Sequence, residues 1–286
     1  MEKIDLHLHL METEFTLPSG VVLSGPREML PHMDRLGIRK AVLMSGCKAL
    51  FPAASNQVVQ KICRTYPDRY AWMCNLDPCR PEEVFPQLQK YRDLGAIGIG
   101  ELACNRRLDD PFLQALFAAA QALELPVTFH LSPETGRGYG VVDDPGLPLL
   151  EQVLKAYPNL KLLGHSKTFW NEISGDAPRD PESRRRTCKG PVVPGGRISQ
   201  LLAAYPNLYC DLSAQSGSNA LMRDPEFGLS FLEQWSDRLF FATDMLNTQT
   251  VFPLGPWLDQ QASLGQLSQQ AYENVCAGNA QRVFGL

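Results

Sequence analysis

The feature that most restricts this chain is a rhythm. Short apolar segments alternate with helical patterns eight times, at roughly 30 residues per unit. The segments lie near 3–9 (KIDLHLH), 38–45, 70–76, 96–101, 126–131, 160–165, 207–212 and 238–243. Several are almost unbroken apolar runs, which suits parallel strands buried on both faces rather than strands with one wet face. Helices are expected between them near 26–36, 54–66, 81–94, 111–124, 147–156, 196–205 and 225–235, with a helical tail from about 256 onward. Pro26, Pro81, Pro111 and Pro225 sit close to helix starts, where a missing N–H costs nothing. Tyr66-Pro67, Tyr157-Pro158 and Tyr205-Pro206 each precede a strand, because proline cannot continue a helix and pushes its predecessor extended. Pro86 falls inside the third helical pattern and is expected to break it.

Eight such units with right-handed crossovers close naturally into an α/β fold of one kind, the (β/α)8 TIM barrel of about 250 residues. The alternative, an open doubly wound sheet, would announce itself by a glycine-rich turn after the first strand. None follows residues 3–9, and the Gly-Ile-Gly of 98–100 lies inside a strand. Length alone allows one large domain or two modest ones. The eight units favour a single domain over 1–286, with the surplus in an insertion near 171–195 and in helices after 256. That insertion is polar, rich in Pro and Gly, and holds Arg179, Arg184, Arg185, Arg186 and Lys189. It reads either as a solvated surface loop or as a lid over the barrel mouth.

Charge and composition exclude more than they specify. A formal net charge of -4 offers no footprint for phosphate backbones, so no nucleic-acid partner is expected. No apolar run approaches the roughly 20 residues of a membrane helix, and the first residues show no signal-peptide pattern. A cytoplasmic protein without a membrane partner is the expectation. Cysteines 47, 63, 74, 79, 104, 188, 210 and 276 lack paired CxxC spacing and read as reduced and mostly buried.

The chain has only five histidines. Four of them, His7, His9, His130 and His165, fall at the C-terminal ends of expected strands, together with Glu101 after strand four and Asp244 after strand eight. In a barrel those ends form one face, the face where active sites sit. Residues two apart on a strand point the same way, so His7 and His9 can hold one metal ion while Leu8 turns into the wall. Imidazole and carboxylate donors suit Zn²⁺ and also accept Mn²⁺, Fe²⁺ or Co²⁺. A lone histidine after a strand is more often a hydrogen-bonded structural residue, and an isolated His-x-His is weak evidence. The joint placement of four histidines with two acids carries the metal reading. His32 lies in a helical pattern and reads as structural.

The segments Ile-Asp-Leu-His-Leu-His at 4–9, Phe-His-Leu at 129–131, Gly-His-Ser at 164–166 and Ala-Thr-Asp at 242–244 resemble the metal-dependent amidohydrolase superfamily. The similarity is greatest to the amidohydrolase-related branch that includes aminocarboxymuconate semialdehyde decarboxylase, and it spans residues 4 to about 250. It implies a distorted barrel with a divalent metal, usually zinc, at the mouth. It also implies that His7, His9, His130 and Asp244 match ligand positions and His165 the strand-six histidine. Glu101, in Gly-Ile-Gly-Glu-Leu, departs from the decarboxylase pattern and looks more like the strand-four glutamate of TatD-type nucleases. One ion would take His7, His9, Asp244 and either Glu101 or His130. With two ions Glu101 would bridge, and His130 and His165 would hold the second. Glu101 as a carboxylate hydrogen-bonded to a neighbouring loop stays open.

For substrate contacts, Lys167 and Trp170 follow His165 and should line the mouth, with Lys167 paired to a substrate carboxylate. The stretch Ser213 to Asn219 reads as a loop of small residues that allows close approach of a ligand. Arg223 offers a carboxylate or phosphate clamp, or else pairs with Asp224 or Glu226 at the surface. Asp77 and Asn105 are weaker candidates. The expected activity is metal-dependent hydrolysis of a small carboxylate-bearing molecule at an amide, ester or lactone bond, with Asp244 relaying the proton and His165 stabilising the oxyanion. Non-oxidative decarboxylation on the same scaffold is the alternative, and a TatD-like nuclease comes third. Helical segments beyond 256 offer a surface for a homo-oligomer.

Overall fold

A computed structural model describes residues 2–46 and 54–286, so Cys47 lies outside the described residues. The chain folds as the expected TIM barrel. Its strands are β1 (Lys3–Leu8), β2 (Ile38–Met44), β3 (Tyr70–Met73), β4 (Ile99–Leu102), β5 (Val127–Ser132), β6 (Leu162–His165), β7 (Leu208–Asp211) and β8 (Leu239–Phe240). They pair in parallel in two runs, β1-β2-β3 and β4 through β8. Backbone bonds outside the regular ladders close the ring. Cys74 N donates to Gly98 O at 2.9 Å between β3 and β4, and Leu6 N donates to Phe241 O at 3.1 Å between β1 and β8.

Two strands carry a register shift that positions the site. On β1, Asp5 pairs with Ala41 and Leu8 with Leu43; on β4, Ile99 pairs with Val127 and Leu102 with Phe129. Each places three steps against two, the signature of a bulge that re-aims side chains. On β1 the consequence is visible in the packing: Ile4 and Leu6 belong to the inner apolar cluster, whereas Leu8 belongs to the outer one. Inward alternation thus moves from even to odd residues, and His7 and His9 turn to the mouth. On β4 a Cβ at Gly100 would stand 2.8 Å from Met44 Sδ and 3.1 Å from Met73 Sδ. Only glycine lets this strand pass so close, directly before Glu101.

The inner cluster, with Val42, Met44, Met73 and Phe240, is closed at the foot by Ala277 and Ala280 from the C-terminal segment. The fully buried Asn279 donates to Ser236 O and Leu239 O at 2.7 Å, fixing that segment under β8.

Several expectations are corrected. Pro86 does not break its helix, which runs Pro81–Asp93. The ring is exposed, so water can take the carbonyl it leaves unbonded, while Val84 and Leu88 anchor the buried face. The stretch after β7 is not a loop but the helix Ala214–Met222. It needs small residues because a Cβ at Gly217 would lie 2.2 Å from Leu212 O, so the helix folds back tightly on its own strand exit. The 171–195 insertion holds a short helix, Pro181–Arg184, and is pinned from inside. Arg184 is 1% exposed and donates through Nη1 to Asp143 O at 3.0 Å, while Asn171 Nδ2 donates to Arg184 O and Arg186 O. A short antiparallel hairpin, Phe15–Thr16 with Val22–Leu23, had no counterpart in the sequence reading.

Candidate metal centre

At the mouth, three atoms from strands on opposite sides of the β8/β1 seam converge. His7 Nε2 lies 3.1 Å from His9 Nε2, His9 Nε2 lies 3.2 Å from Asp244 Oδ1, and His7 Nε2 lies 3.6 Å from Asp244 Oδ1. Glu101 Oε2 is 3.8 Å from His9 Nε2, and His165 Nε2 is 3.7 Å from Glu101 Oε1 and 3.8 Å from Asp244 Oδ2. The first three separations are the edges expected of donors around one ion with bonds of about 2.0–2.2 Å, which span about 2.9–3.6 Å.

Two of the rings are held from behind, while the buried Nδ1 of His9 has no partner among the described residues. His7 Nδ1 meets Asp211 Oδ2 at 2.7 Å, and His165 Nδ1 meets Ser213 Oγ at 2.8 Å. Such partners fix a ring's orientation and leave Nε2 for the centre. Asp5 buttresses the same seam: it accepts from His7 N at 3.1 Å, from Thr243 N at 2.9 Å and from Thr243 Oγ1 at 2.5 Å. Asp244, Ser166 and Ala214 all line the cavity with left-handed backbones, at φ 59°, 105° and 60°. Non-glycine residues held there cost of order 1–3 kcal/mol each, and such strain tends to gather at functional sites.

The electrostatics point to a missing positive charge. Burial disfavours a charged His7 ring, but Asp211 and then Asp244 outweigh it and lift its pKa to about 10. Burial also opposes ionisation of Asp211 and Asp244, yet His7 beside them, with His9 also at Asp244, holds both below the usual range. Glu101 is likewise held low by His130, His7 and His165 against its burial. Burial lowers the His165 pKa, with Asp211 opposing. Three ionised carboxylates thus surround His7, which must either carry a proton or give its lone pair to a cation. The donor set fits a divalent ion, and three overlapping groups can hold one: His7/His9/Glu101, His7/His165/Asp211 and Glu101/His130/His165.

The other residues singled out from the sequence are placed as follows. His130 Nδ1 is engaged by Glu101 Oε1 at 2.7 Å, and its ring faces Tyr139 at a centroid distance of 4.4 Å. Lys167 lines the main cavity, which opens over the cluster with a volume near 490 Å³. Trp170 does not reach that cavity. Its indole is 2% exposed and donates to Asp211 O, because the short helix Lys167–Asn171 turns it inward. Asn219 and Arg223 are also outside it: they hold the backbone of the insertion, at Cys188 O and at Lys189 O and Gly190 O. Arg223 makes no local ion pair among the described residues; besides holding the loop through Nη1, it keeps a buried, unbonded Nη2 in the small cavity it lines with Lys167, Trp170, Ser216 and Asn219. Asn105 pins the turn that carries Tyr139, bonding Glu134 O, Gly140 O and Gly136 N. Asp77 is exposed and outside the cavity lining.

Asp211, Asp5 and Tyr139 escaped the sequence reading, and Ser213, read as part of a ligand-facing loop, serves instead as the partner of His165. Asp211 closes β7 as Glu101 closes β4, so the strand-end rule that found the histidines would have found it too.

Residues 196–286 match the amidohydrolase family model. No curated protein sequence matches the chain. Solved structures share its fold along the whole length. An uncharacterised TIM-barrel protein of Bordetella bronchiseptica superposes with a TM-score of 0.69 at 16% identity, covering 100% of this chain and 99% of that one. A dihydroxybenzoic acid decarboxylase of a Polaromonas species, with bound manganese and the inhibitor 2-nitroresorcinol, gives 0.61 at 17% identity, with 100% and 97% covered. A probable 2-pyrone-4,6-dicarboxylic acid hydrolase of Acinetobacter baumannii, with citric acid bound, gives 0.59 at 14% identity, with 100% of each chain covered. The resemblance to amidohydrolases is thus supported by sequence over residues 196–286, and along the rest of the chain the solved structures show the fold. Among the described residues no helix is long and apolar enough to cross a membrane.

Proposed function

We propose that the chain is a metal-dependent enzyme acting on a small carboxylic acid, and that its reaction is non-oxidative decarboxylation. The observation that carries the metal reading is the triangle of His7 Nε2, His9 Nε2 and Asp244 Oδ1 at 3.1–3.6 Å, joined to the cavity through Asp244, which lines it. A divalent cation bound there supplies Lewis-acid polarisation of substrate oxygens. The chain does the rest. Asp211 and Ser213 keep the two rings aimed, and Tyr139 and Phe252 line the cavity. Asp244 is ionised and, at 27% side-chain exposure, open to the cavity, so it can take a proton at a carboxylate oxygen. His165 Nε2 stands 3.8 Å from Asp244 Oδ2, too far for a hydrogen bond but facing the same carboxylate. A proton taken from solvent by Asp244 and delivered to the carbon that loses its carboxylate balances release of CO2.

Decarboxylation takes precedence over hydrolysis because decarboxylases, the manganese-containing one included, outnumber the hydrolase among the similar structures. Hydrolysis of a lactone remains the second reading, supported by the pyrone hydrolase among the neighbours and by Asp244 as a base for water. Zinc and manganese both suit the donors. A cytoplasmic setting accords with the described cysteines, none of which forms a disulfide. Incubating the metal-loaded protein with hydroxylated aromatic acids and with lactones decides the reaction. CO2 evolution supports the proposal, and ring opening without CO2 overturns it in favour of hydrolysis.

A further inference from the structure

The cavity has a second pole, away from the metal ligands and opposite in sign. Lys167, the first residue of Lys167–Asn171, lines the cavity and is exposed, and it has no ion pair or hydrogen bond among the described residues. Arg185 lines it too, but its guanidinium is paired with Glu134 at 2.9 Å and bonded to Arg137 O. Lys167 thus offers a whole ammonium to a ligand, whereas Arg185 is already engaged and has its buried Nε unbonded. The first turn of Ala214–Met222 faces the same space, through Ala214, Gln215 and Ser216. The serine at this helix's N-cap position gives no side-chain cap, since Ser213 Oγ is engaged by His165. The positive end of the helix therefore reaches the cavity without the usual capping oxygen. Ser216 stands between the main cavity and a small one behind it; it is 4% exposed, and its hydroxyl has no partner among the described residues. A buried hydroxyl without a partner costs free energy that a bound acceptor recovers.

We propose that Lys167, the first turn of Ala214–Met222 and the Ser216 hydroxyl form a subsite for a second carboxylate of the substrate, remote from the one held over His7, His9 and Asp244. The substrate is then a dicarboxylic acid. One unpaired ammonium balances one negative charge, so a carboxylate fits better than a phosphate dianion beside a floor already holding ionised carboxylates. The inference rests on the proposed decarboxylation for the first carboxylate, while the subsite at Lys167 is tested by binding alone.

Binding, rather than turnover, tests it. Benzoate, the three benzenedicarboxylates and 3-phosphonobenzoate are titrated calorimetrically into the manganese-loaded full-length chain. At least one diacid is expected to bind about tenfold tighter than benzoate. Lys167→Gln should shrink that preference to within about twofold, and Ser216→Ala should reduce it severalfold, with benzoate affinity held in both. Diacids that bind no better than benzoate overturn the subsite, as does a preference that survives Lys167→Gln. A phosphonate that outbinds every diacid overturns the carboxylate assignment. Failure of CO2 release with the diacid preference intact would instead strike the reaction and spare the subsite.

Discussion

At the foot of the barrel, Ile4, Leu6 and Phe240 pack against Ala277 and Ala280. A few residues further along the same strands, His7 and Asp211 sit equally buried, with no exposure at all, but among carboxylates and rings. The foot follows the alternation of a regular strand and gains from apolar contact. The mouth departs from that alternation through the bulge on β1, and it confines ionised groups that would each be better solvated in water. The foot should therefore govern whether the chain stays folded, and the mouth what it can hold.

That division can be broken by experiment. The largest effect is expected from His9→Ala and Asp244→Asn, which should abolish stoichiometric metal binding and lower turnover at least about a thousandfold, with little change in thermal midpoint of the metal-free protein. Full metal content in either variant, by elemental analysis, would place the centre elsewhere. Phe240→Ala at the foot should cost about 3–5 kcal/mol in denaturant unfolding while leaving the metal affinity of the folded fraction intact. A loss of affinity there would show that the two ends are coupled. Asp211→Asn, which acts on the triangle of His7, His9 and Asp244 through the His7 ring, should weaken metal binding there by about 10–100-fold in a chelator competition, and a larger loss would place Asp211 among the ligands.

The smallest effect per step is on pH. The metal-free His7 keeps its extra proton up to about pH 10, and a cation on Nε2 has to displace it. Affinity should thus rise with pH, by about tenfold per unit for one proton released, and level off above that value. A profile already flat near neutrality would mean that His7 is not among the ligands, or that Asp211 does not hold its proton.

Much of the frame was legible because it is local. The eight apolar segments predicted β1 to β8, and the strand-end rule brought His7, His9, Glu101, His165 and Asp244 together, since a barrel collects strand ends whatever their sequence separation. Trp170, Asn219 and Arg223 were misplaced for a different reason. Their direction depends on two helices, Lys167–Asn171 and Ala214–Met222, that follow strands where loops were expected. Ser213-Ala-Gln-Ser-Gly-Ser looks like a loop by composition, and becomes a helix because Gly217 can pack against Leu212 O. Arg184 is the extreme case. In a run of three arginines nothing local marks the one that is buried, and only the packing of Asn171, Glu172 and Asp143 around it selects it.

The sequence by itself determined the order of strands and helices, the barrel, and the supply of imidazoles and carboxylates at one end of it, because periodicity and strand ends are properties of neighbouring residues. The tertiary structure decided which atoms face one another. The bulges on β1 and β4 set which side of each strand is inward, Asp211 and Ser213 set which nitrogen each ring offers, and the helix after β7 set what faces Lys167 across the cavity. Those choices are made between segments that are not neighbours in sequence, 204 residues apart for His7 and Asp211 and 48 for His165 and Ser213, where directions of approach rather than residue types determine the contact.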